Sequence, residues 1–280
     1  MALARLSKGA PLDVEDLYLL EAVQITYLPG WIPEREFAAV LWAYPSIKRF
    51  LLKKCPPVGS FIERILAEHG PVGDQKQLAE CCEKVVWTIP DLLTYNRCPE
   101  VYDSLAFHQW DFAEVTEMTP LDGKTVVDTG AGTGRVALAA AATAKWVFAV
   151  EPVARLRQFI RDKAAAAGHR NVFVLDGLNQ AIPLPDGFAD VLITSHALGW
   201  HLHDELGEFE RVVKRGGWII HCPGTAERPQ APRQPAEDDT HATLVSPQWQ
   251  YHVARYQAPD GWKRKYWKQV RSSDGVAEVS

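Results

Sequence analysis

One stretch of the 280-residue chain combines a glycine series with three acidic residues at regular intervals. These residues are Asp128, Gly130, Gly132, Gly134, Glu151 and Asp176. Glycines directly after a strand make a tight turn where the backbone lies close to a ligand. The helix that follows such a turn offers unpaired N–H groups to a carboxylate or phosphate. The pattern therefore indicates a site for a nucleotide-like cofactor.

Histidines supply the second set of chemically capable residues. His196, His201 and His203 follow one another closely, and His221 precedes Cys222. A neutral imidazole accepts a proton near pH 7, so His196 is the first candidate for a general base and His201 the second. Capping a helix or lining a pocket remains an alternative role for each. The spacing matches no compact metal-ligand motif, so we assign no metal.

Short β-rich runs that alternate with helical stretches position these residues. The predicted strands are Thr125–Thr129, Trp146–Glu151, Asn171–Leu175, Ala189–Thr194 and Trp218–Cys222. The predicted helices between them are Arg135–Lys145, Val153–Ala167 and Asp204–Lys214. This alternation is typical of a parallel sheet with crossover helices. Each acidic residue then lies at or near the carboxyl end of a strand.

Different patterns flank this α/β zone. Apolar residues recur at helical spacing from Asp13 to about Phe112, which predicts several short helices. The proline-rich, polar segment Pro223–Pro247 is predicted to be a loop. The aromatic runs Trp249–Gln257 and Gly261–Val270 then predict an antiparallel hairpin.

Composition limits the functional class. A formal charge of −5 disfavours nucleic acid as a partner. The stretch Lys263-Arg264-Lys265 with Lys268 is a local exception, which we interpret as basic outer positions on a terminal strand rather than a base-stacking surface. Five scattered cysteines and the lack of a signal-like or membrane-length apolar run indicate a cytoplasmic protein without a membrane.

The spacing of the glycines separates the candidate cofactors. A dinucleotide fingerprint is G-x-G-x-x-G and requires glycine where this chain has Arg135, whereas the chain reads D-x-G-x-G-x-G from Asp128. This segment resembles the class I S-adenosylmethionine-dependent methyltransferases, over about Lys124–Cys222. The resemblance implies a doubly wound, mostly parallel seven-stranded sheet of Rossmann-like α/β class, with an N-terminal helical domain. We place a helical lid or substrate domain at 1–115 and the cofactor domain at 116–280.

The resemblance also implies roles for individual residues. Asp128 and the three glycines would hold S-adenosyl-L-methionine, and Glu151 would accept hydrogen bonds from both ribose hydroxyls. Asp176 would receive the adenine amino group, and the backbone N–H of Gly177 or Leu178 would meet a ring nitrogen. Thr194 would border the cofactor at the fourth strand's exit. Taken singly, Asp128 also suits a helix-capping carboxylate, and Asp176 suits an Asp-Gly turn.

The methyl acceptor is expected at the exit of the fourth strand, which reads from Thr194 through His196 and Trp200 to His203. This exit departs from the Asn/Asp-Pro-Pro-aromatic motif of the family's nucleic-acid amine methyltransferases. The departure favours a small-molecule acceptor with an O, N or S nucleophile and in-line transfer. The segment Tyr95–Phe112 and the proline-rich loop are candidate lids.

Two other functions remain open from the sequence. One is a nicotinamide-dependent oxidoreductase, which Arg135 and Asp176 disfavour. The other is a non-catalytic or protein-directed S-adenosylmethionine-binding subunit. The aromatic residues of the helical zone, Trp31, Trp42, Phe50 and Phe61, would then form a partner surface, with burial against the sheet as the alternative. The sequence leaves the oligomeric state open, a homodimer included.

Overall fold

The structure is a computed structural model that describes residues 12–199, 201–222 and 235–271. The chain divides into two compact units, Met1–Tyr102 and Asp103–Ser280. The division falls before the boundary that we placed after residue 115. Residues 103–115 therefore belong with the sheet rather than with the helical unit.

The first unit consists of short helices around its own apolar core. The helices are α1 (Ala22–Thr26), α2 (Glu34–Ala43), α3 (Pro45–Lys54), α4 (Gly59–Glu68), α5 (Gln75–Thr88), α6 (Pro90–Arg97) and α7 (Pro99–Asp103), which ends at the boundary. Proline is the first residue of α3, α6 and α7, where its missing N–H has no helical partner to lose. Asp74 caps α5, because its carboxylate accepts a hydrogen bond from the Lys76 N–H at 3.0 Å.

The second unit is a seven-stranded sheet with helices between its strands. Its strands are β1 (Thr125–Thr129), β2 (Trp146–Val150), β3 (Val172–Leu175), β4 (Ala189–Thr194), β5 (Val213–His221), β6 (His252–Ala258) and β7 (Gly261–Gln269). Its further helices are α8 (Ala113–Thr116), α9 (Arg135–Ala141), α10 (Ala154–Ala166), α11 (Leu202–Val212) and α12 (Pro235–Val245). The strand order is β3-β2-β1-β4-β5-β7-β6, with only the pairings of β7 antiparallel. The predicted fold class is confirmed.

This strand order explains where a ligand can bind. The chain moves outward from β1 to β2 and β3, then returns to place β4 on the other side of β1. In open α/β sheets a ligand crevice is expected at the carboxyl ends of two such strands. The glycine series follows β1 and the first histidines follow β4, so both lie at this crevice.

Most predicted elements differ from the structure by a few residues at their ends, and three differ more. Strand β5 begins at Val213 rather than Trp218, because Lys214–Gly217 continue the strand through an irregular register beside β4. Residues 235–245 form α12 instead of a loop, and Pro235 is its first residue, a position that tolerates proline. The preceding part of the proline-rich segment, 223–234, lies outside the described residues. Strand β7 lies between β5 and β6, so its basic residues are not on a terminal strand.

No helix in the described part of the chain has both the length and the apolar character needed to cross a membrane.

Candidate functional site

The three glycines after β1 all adopt left-handed backbone conformations. Their φ angles are +65° at Gly130, +54° at Gly132 and +78° at Gly134, values that strain other residues. A Cβ at Gly130 would lie 2.3 Å from the Cβ of Ala197, and one at Gly134 would lie 2.8 Å from Ile160 Cγ1. At two of the three positions, therefore, the missing side chain leaves room for the chain's own packing.

Asp128 lies inside β1 and is almost completely buried. Its carboxylate accepts a hydrogen bond from the Ala137 N–H at 2.9 Å, in the first turn of α9. Burial raises the pKa of Asp128 to about 8, and the nearby Glu151 carboxylate adds to this effect. This contact joins the start of α9 to β1. It corresponds to the helix-capping role that the sequence left open for Asp128. Direct binding of the cofactor by Asp128 stays a prediction.

Glu151 directly follows β2, and its side chain forms a hydrogen bond with the backbone of the glycine turn. Its carboxylate accepts hydrogen bonds from the Gly132 N–H at 2.8 Å and the Val153 N–H at 2.9 Å. Burial raises its pKa to about 7. Each carboxylate oxygen receives one of these bonds and keeps a further lone pair. Glu151 can thus hold the turn and still accept a hydrogen bond from a ligand hydroxyl.

Asp176 follows β3 and remains open to solvent, with 71% of its side chain exposed. Arg157 of α10 pairs with it at 2.9 Å and also donates to the Glu151 carbonyl at 2.8 Å, which joins the ends of β2 and β3. A Cβ at Gly177 would meet Pro183 Cδ at 2.6 Å. The Leu178 N–H makes only a long bond of 3.4 Å, to Ala181 O. These groups are thus accessible to a ligand, and their adenine contacts stay predictions.

Buried hydroxyls without partners provide a direct test of whether a polar ligand fits. Thr133 in the glycine turn and Thr194 at the end of β4 are at most 1% exposed, and neither hydroxyl has a hydrogen-bond partner. Buried polar groups are normally satisfied by protein, water or ligand. The amino-acid end of S-adenosylmethionine carries both hydrogen-bond donors and acceptors. The residues around this crevice therefore fit that cofactor.

Asn179 was missed by sequence reasoning. Its amide oxygen accepts from Thr129 Oγ1 at 2.7 Å, and its amide nitrogen donates to the Ala197 carbonyl. It therefore fastens the loop after β4 to the end of β1. These partners lie 50 and 18 residues away in sequence, so no local pattern marks the contact.

His196 stands in this loop with a left-handed φ of +57°, unusual for a residue other than glycine. Its ring packs edge-on against Phe107 with 5.1 Å between centroids. Part of the residue is exposed, yet desolvation by the surrounding protein lowers its pKa to about 4, with Lys263 adding to the shift. His196 is thus neutral near pH 7, but it is a weak base.

His201 and His203 occupy the start of α11 and are exposed. The backbone N–H groups of Gly199 and His201 donate to the buried Glu205 carboxylate at 2.8 and 3.1 Å. The ring of His203 lies 6.1 Å from that of Trp249. Trp200 lies outside the described residues. Of the predicted bases, His196 contacts the segment that precedes β1 through its ring.

Residues 103–109 cover the glycine turn from within the sheet unit. Asp103 pairs with Lys163 at 2.9 Å, and Lys163 also donates to the Thr133 carbonyl at 3.2 Å. Arg135 reaches the Gln109 side-chain oxygen at 3.4 Å. Together with the Phe107 contact to His196, these bonds place part of the predicted Tyr95–Phe112 lid against both the turn and the β4 exit.

Three lysines of β7 are engaged in ion pairs. Lys263 pairs with Asp260 at 2.8 Å, and Lys265 pairs with Glu114 at 2.6 Å. Lys268 pairs with Glu210. At most 15% of each lysine side chain is exposed. The interpretation of these lysines as outer positions was therefore wrong.

The described residues contain one group with metal-like spacing, Glu34, Glu68 and His69 in the helical unit. Arg64 bonds both carboxylates, at 2.7 and 2.9 Å, and its charge opposes a cation there. Within the described ranges, the histidines at the strand ends form no such group. The assignment of no metal to this protein stays a prediction.

Comparison with known proteins identifies the domain. Residues 127–221 match the family described as Methyltransferase domain. An uncharacterized methyltransferase of Anoxybacillus flavithermus is 29% identical over 103 residues, which cover 35% of this chain and 46% of that protein. A crystal structure of a SAM-dependent methyltransferase from Aquifex aeolicus shares the fold, with a TM-score of 0.50 and 19% identity over 60% of this chain and 95% of that one.

The family match begins in β1 and ends in β5, so it contains the glycine turn, Glu151, Asp176 and the β4 exit. The segment that aligns with the Anoxybacillus flavithermus protein covers less than half of that protein's length. Residues 127–221 therefore match a methyltransferase domain, and the sheet that contains them has the fold of the SAM-dependent methyltransferase from Aquifex aeolicus.

Proposed function

We propose that this protein transfers a methyl group from S-adenosyl-L-methionine to a small-molecule acceptor. The observation that carries the proposal is the arrangement at the β1–β4 crevice. There the glycine turn, supported by Glu151, faces a β4 exit that residues 103–109 cover. The contacts of residues 103–109 with both the turn and the β4 exit narrow the access to this edge of the sheet, which favours a small acceptor over a large one.

The cofactor supplies an electrophilic methyl group, and the protein's task is to bind, align and exclude water. The turn from Gly130 to Gly134 and the hydroxyls of Thr133 and Thr194 would receive the amino-acid end. Glu151 would accept the ribose hydroxyls through its remaining lone pairs. The exposed Asp176 carboxylate would meet the adenine end, where Arg157 fixes its position.

The role of His196 follows from its surroundings. Because desolvation lowers its pKa to about 4, it holds a proton poorly. We therefore expect His196 to line the site together with Phe107 rather than to act as the general base. His201 is exposed, and this position does not favour it over His196 as the general base.

A small acceptor is also favoured by the charges of the hairpin. The lysines that would offer phosphate contacts are paired with Asp260, Glu114 and Glu210. Opening those pairs would reduce the gain from binding a polyanion. We accordingly propose that nucleic acid is not a substrate.

A cytoplasmic location is part of the same proposal. All five cysteines are free thiols, two of them buried, as expected in a reducing compartment.

The proposal is tested by incubating the protein with methyl-labelled S-adenosylmethionine and a panel of small alcohols, phenols, amines and thiols. We expect label in at least one product and formation of S-adenosylhomocysteine. Transfer only to added protein or nucleic acid, with no label in any small molecule, would contradict the proposed acceptor class.

A further inference from the structure

Helix α5 of the helical unit has a groove along one of its flanks. The groove has a volume of about 580 Å³. Its apolar lining consists of Leu12, Val14, Leu78, Ala79, Val86 and Trp87. A space of this size suits a small organic ligand, for which sites of about 300–1,000 Å³ are typical. We call this space the α5 groove.

The α5 groove is elongated in the direction of the helix. Its lining on α5 extends from Gln75 to Trp87, and the lining positions recur at spacings of three and four residues. These positions therefore form one face of the helix. At about 1.5 Å per residue, this face is about 18 Å long. A ligand that fills the groove is accordingly an extended molecule.

The apolar side chains of this face are only partly covered by the protein. Val85 and Val86 are the buried residues of α5, whereas Leu78 and Trp87 are half-buried and Ala79 is exposed. A ligand with an apolar body would remove this surface from water, which is favourable. The groove thus has a reason to bind a hydrocarbon chain.

The charged groups of the α5 groove all have the same sign. Asp13 and Glu83 contribute carboxylates, and none of the described residues that line the groove is basic. One carboxylate oxygen of Asp13 accepts a hydrogen bond from the Glu15 N–H at 2.8 Å, which leaves the other oxygen available to a ligand. The groove is therefore complementary to a cation.

Glu83 is the carboxylate best placed to bind that cation. In the described part of the chain its side chain has neither a hydrogen bond nor an ion pair. Its helical neighbours three and four residues away are Ala79, Glu80, Val86 and Trp87, so α5 supplies no cation to neutralise it. Trp87 lies one turn further along the same face, and its ring also attracts a cation.

The remaining polar side chains of the groove add no positive charge. Burial raises the pKa of the Cys82 thiol, so this group is neutral near pH 7. Tyr44 and Gln75 are uncharged as well at this pH. The electrostatic preference of the groove therefore comes from Asp13 and Glu83.

The opposite flank of α5 faces a second cavity, of about 620 Å³. From α5 this cavity is lined by Glu80, Cys81 and Lys84, and from α2 by Arg35 and Glu36. Lys84 pairs with Glu36 at 2.6 Å. This cavity contains charges of both signs, whereas the α5 groove contains carboxylates alone. Residues of the second cavity therefore serve as matched controls on the same helix.

We propose that the α5 groove binds an organic cation that consists of an ammonium group on an extended apolar chain. The ammonium group contacts the Glu83 carboxylate and the face of the Trp87 ring, and the chain lies along Leu78 and Ala79. This site belongs to the helical unit and uses none of the residues assigned to the methyl donor. It is therefore independent of the proposed function.

The test measures binding of octylamine, 1-octanol and octanoate to the full chain by isothermal titration calorimetry at pH 7.5. These probes share an eight-carbon skeleton and differ in charge. We expect octylamine to bind about tenfold or more tightly than either of the others, because only the ammonium meets Glu83 and Trp87 favourably. Butylamine should bind at least about tenfold more weakly than octylamine, because it buries less of the chain.

Substitutions on α5 locate the site. Glu83→Gln should weaken octylamine binding about fivefold and change 1-octanol binding by less than about twofold, because it removes charge alone. Glu80→Gln, an equally exposed position on the other flank, should bind octylamine like the parent. Trp87→Leu keeps an apolar side chain and should weaken the binding of octylamine more than that of 1-octanol.

The adjacent cysteines provide a second readout. Cys82 lines the α5 groove, whereas Cys81 lines the second cavity. In Cys81→Ser, saturating octylamine should slow the reaction of Cys82 with methyl methanethiosulfonate at least about threefold. In Cys82→Ser, the reaction of Cys81 should keep its rate. Peptide mass spectrometry assigns each modified site.

The outcomes decide which ligand the groove binds. Equal affinity for 1-octanol and octylamine would indicate a neutral apolar ligand, and tighter binding of octanoate would indicate an anion. Either result would overturn the proposal, as would no measurable binding of octylamine. An equal loss in Glu80→Gln and Glu83→Gln, or equal protection of both cysteines, would contradict binding in the α5 groove. Each of these results leaves the methyl-donor site untouched.

Discussion

At the residue scale, buried titratable groups near the sheet's carboxyl edge combine support of the backbone with potential ligand contacts. Glu151 accepts from two backbone N–H groups, and Asp128 accepts from one. Burial raises the pKa of both carboxyls, so these hydrogen bonds stabilise the ionised forms only in part. The same burial keeps His221 neutral.

Glu151→Ala tests this double role. The substitution leaves the N–H groups of Gly132 and Val153 without their acceptor, and each unsatisfied buried donor costs about 1–3 kcal/mol. We expect the free energy of unfolding to fall by about 2–4 kcal/mol in urea denaturation. Glu117→Ala, at an exposed position, serves as the control and should stay within about 0.5 kcal/mol of the parent. A Glu151→Ala protein as stable as the parent would show that the turn does not depend on this carboxylate.

His221→Phe tests the burial of a neutral imidazole through pH. The pKa of His221 is lowered from 6.5 to about 3 on folding, so the unfolded chain binds its proton first. Stability is therefore complete above pH 6.5 and is lost as the pH falls toward 3. Between pH 7.5 and 5 the parent should lose about 2 kcal/mol more than His221→Phe. Parallel losses in the two proteins, followed by chemical denaturation, would contradict a buried neutral His221.

At the element scale, the loop after β4 packs directly on the turn after β1. Ala197 occupies the space beside Gly130, and Asn179 joins the two segments through hydrogen bonds. Glu205 secures the other end of the loop through the backbone of Gly199 and His201. The β4 exit is thus positioned from both sides, which is what an acceptor site next to a cofactor requires.

Gly130→Ala combined with Ala197→Gly tests this packing. Alanine at Gly130 brings both the strain of a positive φ, about 1–2 kcal/mol, and a clash with Ala197. Ala197→Gly removes the clash but not the strain, so the double variant should regain part of the lost unfolding free energy. Gly123→Ala is the matched control, because φ is +69° there and no atom lies within 4 Å. It should show the strain alone, and additive losses in the double variant would contradict the contact.

The elements that the sequence predicts correctly are those whose apolar runs are bounded by glycine or by an acidic residue. Strands β1 and β4 match their predicted bounds because Asp122-Gly123 and Asp186-Gly187 turns precede them. The start of β5 was misplaced because Lys214-Arg215-Gly216-Gly217 has the composition of a turn. Helix α12 was missed because proline argued against a helix, although it is tolerated at the first position. The Asn179 contacts depend on the folded chain and have no local signature.

At the scale of the whole molecule, the two units have separate apolar cores. The core of the helical unit is drawn from residues between Val14 and Leu93, and the two clusters of the sheet unit from residues between Val115 and Tyr266. No residue is shared, so each unit has its own source of stability. The predicted cofactor residues all belong to the sheet unit.

This separation predicts the response of the full chain to the cofactor in scanning calorimetry. We expect two unfolding transitions, because the cores are distinct. S-adenosylmethionine at about 100 times its Kd should stabilise the sheet unit by about 2.7 kcal/mol and raise only that transition. A single transition that shifts as a whole would contradict independent units.

The central claim is that the turn after β1 holds S-adenosylmethionine. Isothermal titration of the full chain with S-adenosylmethionine and, separately, with a nicotinamide dinucleotide tests it most directly. We predict saturable binding of S-adenosylmethionine, weakened by about 1–3 kcal/mol in Glu151→Ala and in Asp176→Ala at a temperature where both variants remain folded. Binding of the nicotinamide dinucleotide without binding of S-adenosylmethionine would contradict the account.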